Sequence, residues 1–246
     1  MLGLTLSAAA SPARPPTRAP TAIPATAPIG PAKAPPAAPA ATPAATKAET
    51  ADGLKVALNQ AVVTAVTSLG RPDGFLANPE VRIPLPGKLQ KAAKKLRKLG
   101  MSKQTDALEL AMNRAAEAAV PEAKALFVDA IKQMSLADAV GLLRGPEDAA
   151  TQYFRGAMSG KLTERFLPIV GKATQDVQLA RQYNEVARRA SSLGLVDQKD
   201  ADLDAYVTRK ALDGLFLVMA REEAAIRKNP LGQANALLRK VFGSKP

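Results

Sequence analysis

The chain has no cysteine, no histidine and no tryptophan among its 246 residues. Without Cys and His it cannot form zinc sites of the usual kinds, iron–sulfur clusters, thiol nucleophiles or Ser–His–Asp triads. The lack of Cys also excludes disulfide bonds and a lipidated N-terminal cysteine. Enzymatic chemistry would therefore rest on carboxylates, hydroxyls and basic side chains alone, and we expect neither a cofactor nor a metal.

Phosphate-binding glycine loops are also missing. The Gly-Lys pairs at 87–88, 160–161 and 171–172 are each followed by the wrong residue, and no Ser stands three residues before a Lys. A hydrolase that uses carboxylates alone stays open as an alternative, because paired Asp and Glu residues leave no reliable spacing in a sequence.

The first fifty residues consist mainly of Ala, Pro and Thr. They hold 11 of the 20 prolines and none of the nine aromatic residues. Such a segment cannot bury enough apolar surface to offset its ordering entropy. We therefore predict a disordered leader over 1–50 and a single helical domain over 51–246.

Residues 1–10 end in three alanines, as a signal peptide does before its cleavage site, but they lack a positive start. We interpret them as the back half of a secretory signal, with a start that need not be Met1. The expected location is then periplasmic or secreted. If the segment is only an Ala-rich tail, the protein is cytoplasmic. No apolar run is long enough to span a bilayer.

Apolar spacing and helix-breaking residues predict an all-α fold, an irregular antiparallel helical bundle. Asp52 is the predicted N-cap of a first helix that ends at Leu69. Four prolines in 71–86 forbid a helix there, and the alternation of Val81, Ile83 and Leu85 predicts an extended strap with its apolar side on the core. Further helices are predicted over 87–99, 102–119, 121–134, 135–145, 147–158, 162–174, 176–193, 202–228 and 231–242.

Five stretches, taken in this order, carry a resemblance to a known family. They are LGRPDGFLANPEVRIPLP (69–86), NRAAEAAVP (113–121), FVDAIKQM (127–134), AATQYFR (149–155) and YVTRKALDGLF (206–216). Together they resemble domain-of-unknown-function family 4197, a group of bacterial helical proteins, over about residues 53–243. The resemblance implies an all-α fold and export to the cell envelope. It implies no activity and supplies no catalytic residues.

The most strongly charged segment is the predicted helix over 87–99. Seven basic residues and no acid fall within 88–103, and Leu89, Ala92, Leu96 and Leu99 form a stripe opposite most of the lysines. The pattern suits a helix lying on anionic lipid or along a phosphate backbone; the alternative is a core-packed helix with a solvated Lys face. The candidate anion-binding residues are Lys88, Lys91, Lys94, Lys95, Arg97, Lys98 and Lys103.

A group of three polar residues on one helix has both a functional and a structural interpretation. Asn113, Arg114 and Glu117 lie on one side of an Ala-rich helix. Glu117 would be an acid or base if it lined a pocket, but an internal network that fixes helix register is the favoured interpretation. We also expect Arg155 to pair with a helix carboxylate.

The acids at 200, 202 and 204 have the first spacings of a calcium loop, but its Gly and Glu positions hold Ala205 and Ala211. Helix capping explains these acids better.

The net charge is +12, which favours acidic partners without specifying one. The leading hypothesis is a non-enzymatic binding or interaction protein of the bacterial cell envelope. Its expected partners are an anionic membrane surface, an apolar ligand or a partner helix. The alternatives are the carboxylate-only hydrolase and, less favoured, a basic nucleic-acid-binding module in the cytoplasm.

Overall fold

Helices account for most of the computed structural model. It describes residues 46–98, 102–175, 178–192, 201–229, 239 and 241–242, with the backbone alone at 88, 92, 95–97, 186, 187 and 189–191. A 3-10 turn, Val120–Glu122, separates α3 from α4, and no strand occurs in the described ranges. The predicted all-α class is therefore confirmed. The helices are α1 (Lys47–Leu69), α2 (Gly87–Lys98), α3 (Lys103–Ala119), α4 (Ala123–Gln133), α5 (Leu136–Leu143), α6 (Ala149–Thr174), α7 (Gln178–Ser192) and α8 (Leu203–Lys228).

The first helix begins earlier than the sequence pattern predicts. Thr46 is its N-cap: the Thr46 hydroxyl accepts a hydrogen bond from the Glu49 N–H at 3.2 Å, and the Glu49 carboxylate accepts one from the Thr46 N–H at 2.8 Å. This reciprocal capping box satisfies two N–H groups at the helix start. The prediction of Asp52 as the N-cap is therefore wrong, because Asp52 already lies in the second turn.

Helix α6 is continuous where two helices were predicted. The expected break at Gly160 is wrong, because one helix spans Ala149–Thr174 and even includes Pro168. A glycine inside a helix costs only about 1 kcal/mol, whereas burying one large apolar side chain contributes about 1.5–3 kcal/mol. The face that α6 buries has such a residue at every fourth position: Phe154, Met158, Leu162, Phe166 and Val170.

An aromatic cluster in the core joins α4, α6 and α8. Phe127 on α4 packs edge-on against Phe154 of α6 and Phe216 of α8, with ring centroids 5.8 and 5.9 Å apart. Helices α6 and α8 run antiparallel, since Arg155 pairs with Asp213 near one end and Thr174 bonds to Asp204 near the other. Helices α1 and α3 pack against this pair.

The segment between α1 and α2 lies on the bundle as predicted, although less of it is extended. Val81, Ile83 and Leu85 are buried, so the predicted apolar side of the strap is confirmed. Residues 71–81 form turns, and only 82–86 are extended. We call residues 71–86 the strap. It approaches α8 closely at Gly214, where an added Cβ would lie 2.8 Å from the Phe75 ring.

The remaining predicted helices differ from the structure mainly at their ends. The helix predicted over 121–134 begins as the 3-10 turn and becomes α-helical at Ala123. Ser135 caps α5 as predicted, with its hydroxyl accepting from the Asp138 N–H. Most of the helix predicted over 231–242 lies outside the described residues.

Candidate functional site

The predicted polar cluster on α3 faces the strap. Its buried members are Asn113 and Glu117, and Arg114 lies beside them with its guanidinium partly exposed. Glu109, one turn before Asn113, accepts a hydrogen bond from the Arg82 guanidinium at 3.0 Å. Positions 109, 113 and 117 are spaced by four residues, so they form one row along the helix. This row meets the strap at successive points.

Glu117 binds the turn at the start of the strap. One oxygen of its carboxylate, Oε1, accepts hydrogen bonds from the backbone N–H groups of Phe75 and Leu76, at 3.0 and 3.2 Å. The other, Oε2, is 2.6 Å from Nη1 of Arg114. The side chain is only 4% exposed. Each oxygen therefore has a fixed internal partner, and the carboxylate does not line an open pocket.

Arg114 links Glu117 to the turn that precedes Phe75. Its second guanidinium nitrogen, Nη2, donates to Asp73 Oδ1 at 2.7 Å. The hydrogen bonds to Glu117 and then to Asp73 raise the pKa of Arg114 above its ordinary value. Asp73 has a left-handed backbone (φ 66°), a conformation that Asp and Asn tolerate better than most residues. The ion pair therefore lies at the tightest point of the turn.

Asn113 holds the extended half of the strap in the manner of a neighbouring β-strand. Its amide oxygen accepts from the Ile83 N–H at 2.9 Å, and its amide nitrogen donates to the Ile83 carbonyl at 3.0 Å. The same nitrogen donates to the Glu109 carbonyl at 2.8 Å. A strap without a neighbouring strand needs such partners, because unpaired buried backbone groups are costly. Asn113 thus provides the hydrogen bonds that a neighbouring strand would otherwise make to Ile83.

A second buried carboxylate, Glu223, was missed by sequence reasoning. It accepts hydrogen bonds from the backbone N–H groups of Ala150 and Thr151 at 3.1 and 2.9 Å, so it caps α6 from α8. Its ion-pair partner Arg227 donates to the carbonyls of Leu142 and Leu143 at the end of α5. The only local signal is a Glu-Arg pair at i, i+4, which normally indicates an exposed helix pair.

Of the acids near the start of α8, Asp202 caps the helix and Asp204 binds a side chain of α6. Asp202 accepts from the N–H groups of Asp204 and Ala205, and Asp204 accepts from the Thr174 hydroxyl at 2.5 Å. Asp200 lies outside the described residues. Among the residues that the structure describes, no three acidic side chains converge as a metal site would require.

The predicted anion-binding helix, α2, places three of its lysines outward. Lys91, Lys94 and Lys98 are exposed, as is Lys103 at the start of α3. On the opposite side Ala93 is fully buried and Leu89 is half-buried against the core. None of the four lysines forms a hydrogen bond or ion pair within the described part of the chain.

Three of the predicted anion-binding residues, Lys88, Lys95 and Arg97, have side chains outside the described part, as do Ala92 and Leu96 of the predicted stripe. Leu99 of that stripe lies wholly outside the described residues. Ala93, which was not part of the predicted stripe, is fully buried. The four exposed lysines, Lys91, Lys94, Lys98 and Lys103, are called the lysine face below.

A comparison with protein families shows where the chain belongs. A family described as "Protein of unknown function (DUF4197)" matches residues 44–243, most of the chain. The chain belongs to this family. The resemblance seen in the sequence is thereby confirmed, with a match that begins a few residues earlier than expected and takes in the capping box of α1. Neither the curated proteins nor the solved structures include a significant match.

Membership in the DUF4197 family assigns no activity to the chain. No helix in the described ranges has the length and hydropathy required to cross a bilayer.

Proposed function

We propose that the protein is a non-enzymatic binding protein of the bacterial cell envelope that docks on anionic membrane surfaces through the lysine face. One observation carries the proposal: four exposed lysines, three on α2 and one at the start of α3, have no hydrogen-bond or ion-pair partner among the described residues, and the opposite side of α2 packs on the core. Their charges are therefore available to an external anion.

The spacing on α2 concentrates charge on one side. Lys91, Lys94 and Lys98 follow an i, i+3, i+7 pattern, which places them within one face of the helix. No acid occurs from 81 to 105, so no neighbour in sequence neutralises them. Each Lys close to an acidic membrane contributes about 1 kcal/mol, which gives the lysine face at most about 4 kcal/mol.

The mode of docking is adsorption without insertion. Leu89 and Ala93 face the core, so they are not available to enter lipid. The helix carries no aromatic residue, and it therefore lacks both the usual interfacial anchors and the stacking platform of single-strand nucleic-acid binders. Adsorption on the phosphate charge of a lipid surface needs neither feature.

The buried carboxylates favour a binding protein over a hydrolase. Glu117 and Glu223 are the only buried acidic side chains among the described residues. Both accept hydrogen bonds from two backbone N–H groups and from an arginine. A general acid or base must be able to exchange its proton with a substrate. Glu117 instead binds the backbone of the strap, and Glu223 binds the backbone at the start of α6.

The envelope location rests on the sequence of residues 1–10, whose small residues at 8–10 resemble the end of a signal peptide. Anionic phospholipid is present at that location and nucleic acid is not. The location and the membrane partner are therefore consistent with each other.

The test is co-sedimentation with vesicles that contain phosphatidylglycerol, at about 50 and 200 mM salt. Replacing Lys91, Lys94, Lys98 and Lys103 by Gln should abolish most of the binding at low salt. The wild type should bind less at the higher salt, because the Debye length shortens. The variant should remain folded, since exposed substitutions usually change stability by no more than about 0.5 kcal/mol.

A charge-matched variant separates the lysine face from net charge. Lys124, Lys161, Arg165 and Lys172 are exposed and lie on other helices. Replacing these four by Gln lowers the net charge by the same amount. We expect this variant to bind vesicles nearly as the wild type does. Equal binding by wild type and both variants would overturn the proposal and leave the lysines as a solvated surface.

A further inference from the structure

A cleft between α6 and α8 is lined by both charged and apolar side chains. Its volume is about 220 Å³, roughly that of seven water molecules. Pockets for drug-sized ligands measure roughly 300–1,000 Å³, so this cleft suits a small molecule or one end of a longer one. The apolar lining comes from Leu167, Leu212 and Phe216. Leu167 is 39% exposed, so a ligand in the cleft can reach its side chain.

The charged residues of the cleft give it a net positive charge of one. Arg155 and Arg209 line it together with a single acid, Asp213. Arg155 is held in place by a 2.9 Å bond to Asp213 and by packing over the Phe216 ring at 4.7 Å. A guanidinium has five N–H donors, and the bond to Asp213 uses one. Arg155 is therefore a fixed cation that can still donate to a ligand.

Thr208 supplies a polar group that the described fold does not satisfy. It lines the cleft, the residue is 1% exposed, and its hydroxyl has no hydrogen-bond partner in the described part of the chain. An unsatisfied buried hydroxyl is costly. Binding through this hydroxyl requires a rotation about χ1 that brings it into the cleft, and threonine in a helix has two accessible χ1 rotamers. A ligand oxygen there would provide the missing partner.

We infer that this cleft binds a small amphipathic monocarboxylate. The carboxylate interacts with Arg155, Arg209 and the Thr208 hydroxyl, and a short apolar chain lies against Leu167 and Leu212. A single negative charge matches the net charge of the lining. Asp213 repels a dianion such as hydrogen phosphate more strongly than a monoanion, because Coulomb repulsion grows with the charge of the ligand. The lysine face shares no residue with the cleft, so the two sites fail or succeed separately.

The test is titration with hexanoate, followed by amide chemical shifts in ¹H–¹⁵N spectra of the full chain. We expect saturable shifts confined to α6 and α8, and at least about tenfold weaker binding of hexanol, which has a neutral head on the same chain. Thr208→Val should weaken hexanoate binding about two- to tenfold, the effect of one hydrogen bond. Its melting temperature should stay the same or rise, because the substitution removes an unsatisfied hydroxyl.

Two controls separate recognition from general effects. Thr163 lines the same cleft, but its hydroxyl already donates to the Ser159 carbonyl at 2.8 Å, so Thr163→Val should leave the affinity unchanged. Arg209→Gln should weaken hexanoate binding about tenfold or more, whereas Arg165→Gln, outside the cleft, should not. Absence of saturable shifts, equal binding of hexanol, or equal affinity of the Thr208 and Thr163 variants would each overturn the inference.

Discussion

Replacing Glu117 tests directly whether the α3 cluster is structural or catalytic. Glu117→Gln keeps an oxygen that can accept from the Phe75 and Leu76 N–H groups, but it places an amide N–H₂ against the Arg114 donors. A hydrogen bond to a charged group contributes about 1.5–3 kcal/mol, and the Gln variant should lose about this much stability. Glu117→Ala also leaves the backbone N–H groups of Phe75 and Leu76 without their acceptor, so its loss should reach about 3–5 kcal/mol.

The assay is thermal and denaturant unfolding followed by far-ultraviolet circular dichroism. For a domain of this size, 1 kcal/mol shifts the melting temperature by roughly 2–4 °C. The order of stability should be wild type, then Gln, then Ala. Glu122→Gln, a change at an exposed acid in the following turn, should shift stability by no more than about 0.5 kcal/mol. Unchanged or increased stability of the Gln variant would refute the structural role, since removal of a strained catalytic group often stabilises.

Three further predictions concern the fold and the location. Gly214→Ala should destabilise by about 1–3 kcal/mol, because its Cβ would lie 2.8 Å from the Phe75 ring; Gly160→Ala, in open space, should stabilise by about 0.5–1 kcal/mol. A chain that begins at Thr46 should melt as the full chain does. One that begins at Ala51 should lose about 1 kcal/mol or more with the capping box, and equal melting of the two would contradict the cap. A reporter active only outside the cytoplasm, fused to the natural coding region, should give signal; its silence would contradict export.

The helical class and most helix ends could be predicted because apolar spacing and turn residues act locally. Ser135 capped the predicted helix, and the alternation of Val81, Ile83 and Leu85 correctly gave the buried side of the strap. The predicted break at Gly160 was wrong because the cost of one glycine in a helix is small compared with the free energy gained by burying an entire helix face. Whether a helix continues past a glycine depends on what packs against it, and that information is not local.

The same difference between local signals and tertiary contacts decides which parts of the candidate sites could be predicted. Asn113, Arg114 and Glu117 could be grouped from their helical spacing, yet their partners in the strap lie 30 to 42 residues away in sequence. Glu223 could not be found at all, because the N–H groups that it caps belong to a helix about 70 residues earlier. A periodic pattern identifies a shared face, whereas the group across from that face follows only from the fold.

The most direct test of the proposed membrane docking is a competition between lipid and nucleic acid. The full chain is mixed with phosphatidylglycerol vesicles and double-stranded DNA at equal accessible phosphate and about 100 mM salt, and the protein in each fraction is measured. We predict that most bound protein sediments with the vesicles and that the lysine-face variant remains in solution. Predominant binding to DNA would contradict the account and support the nucleic-acid alternative.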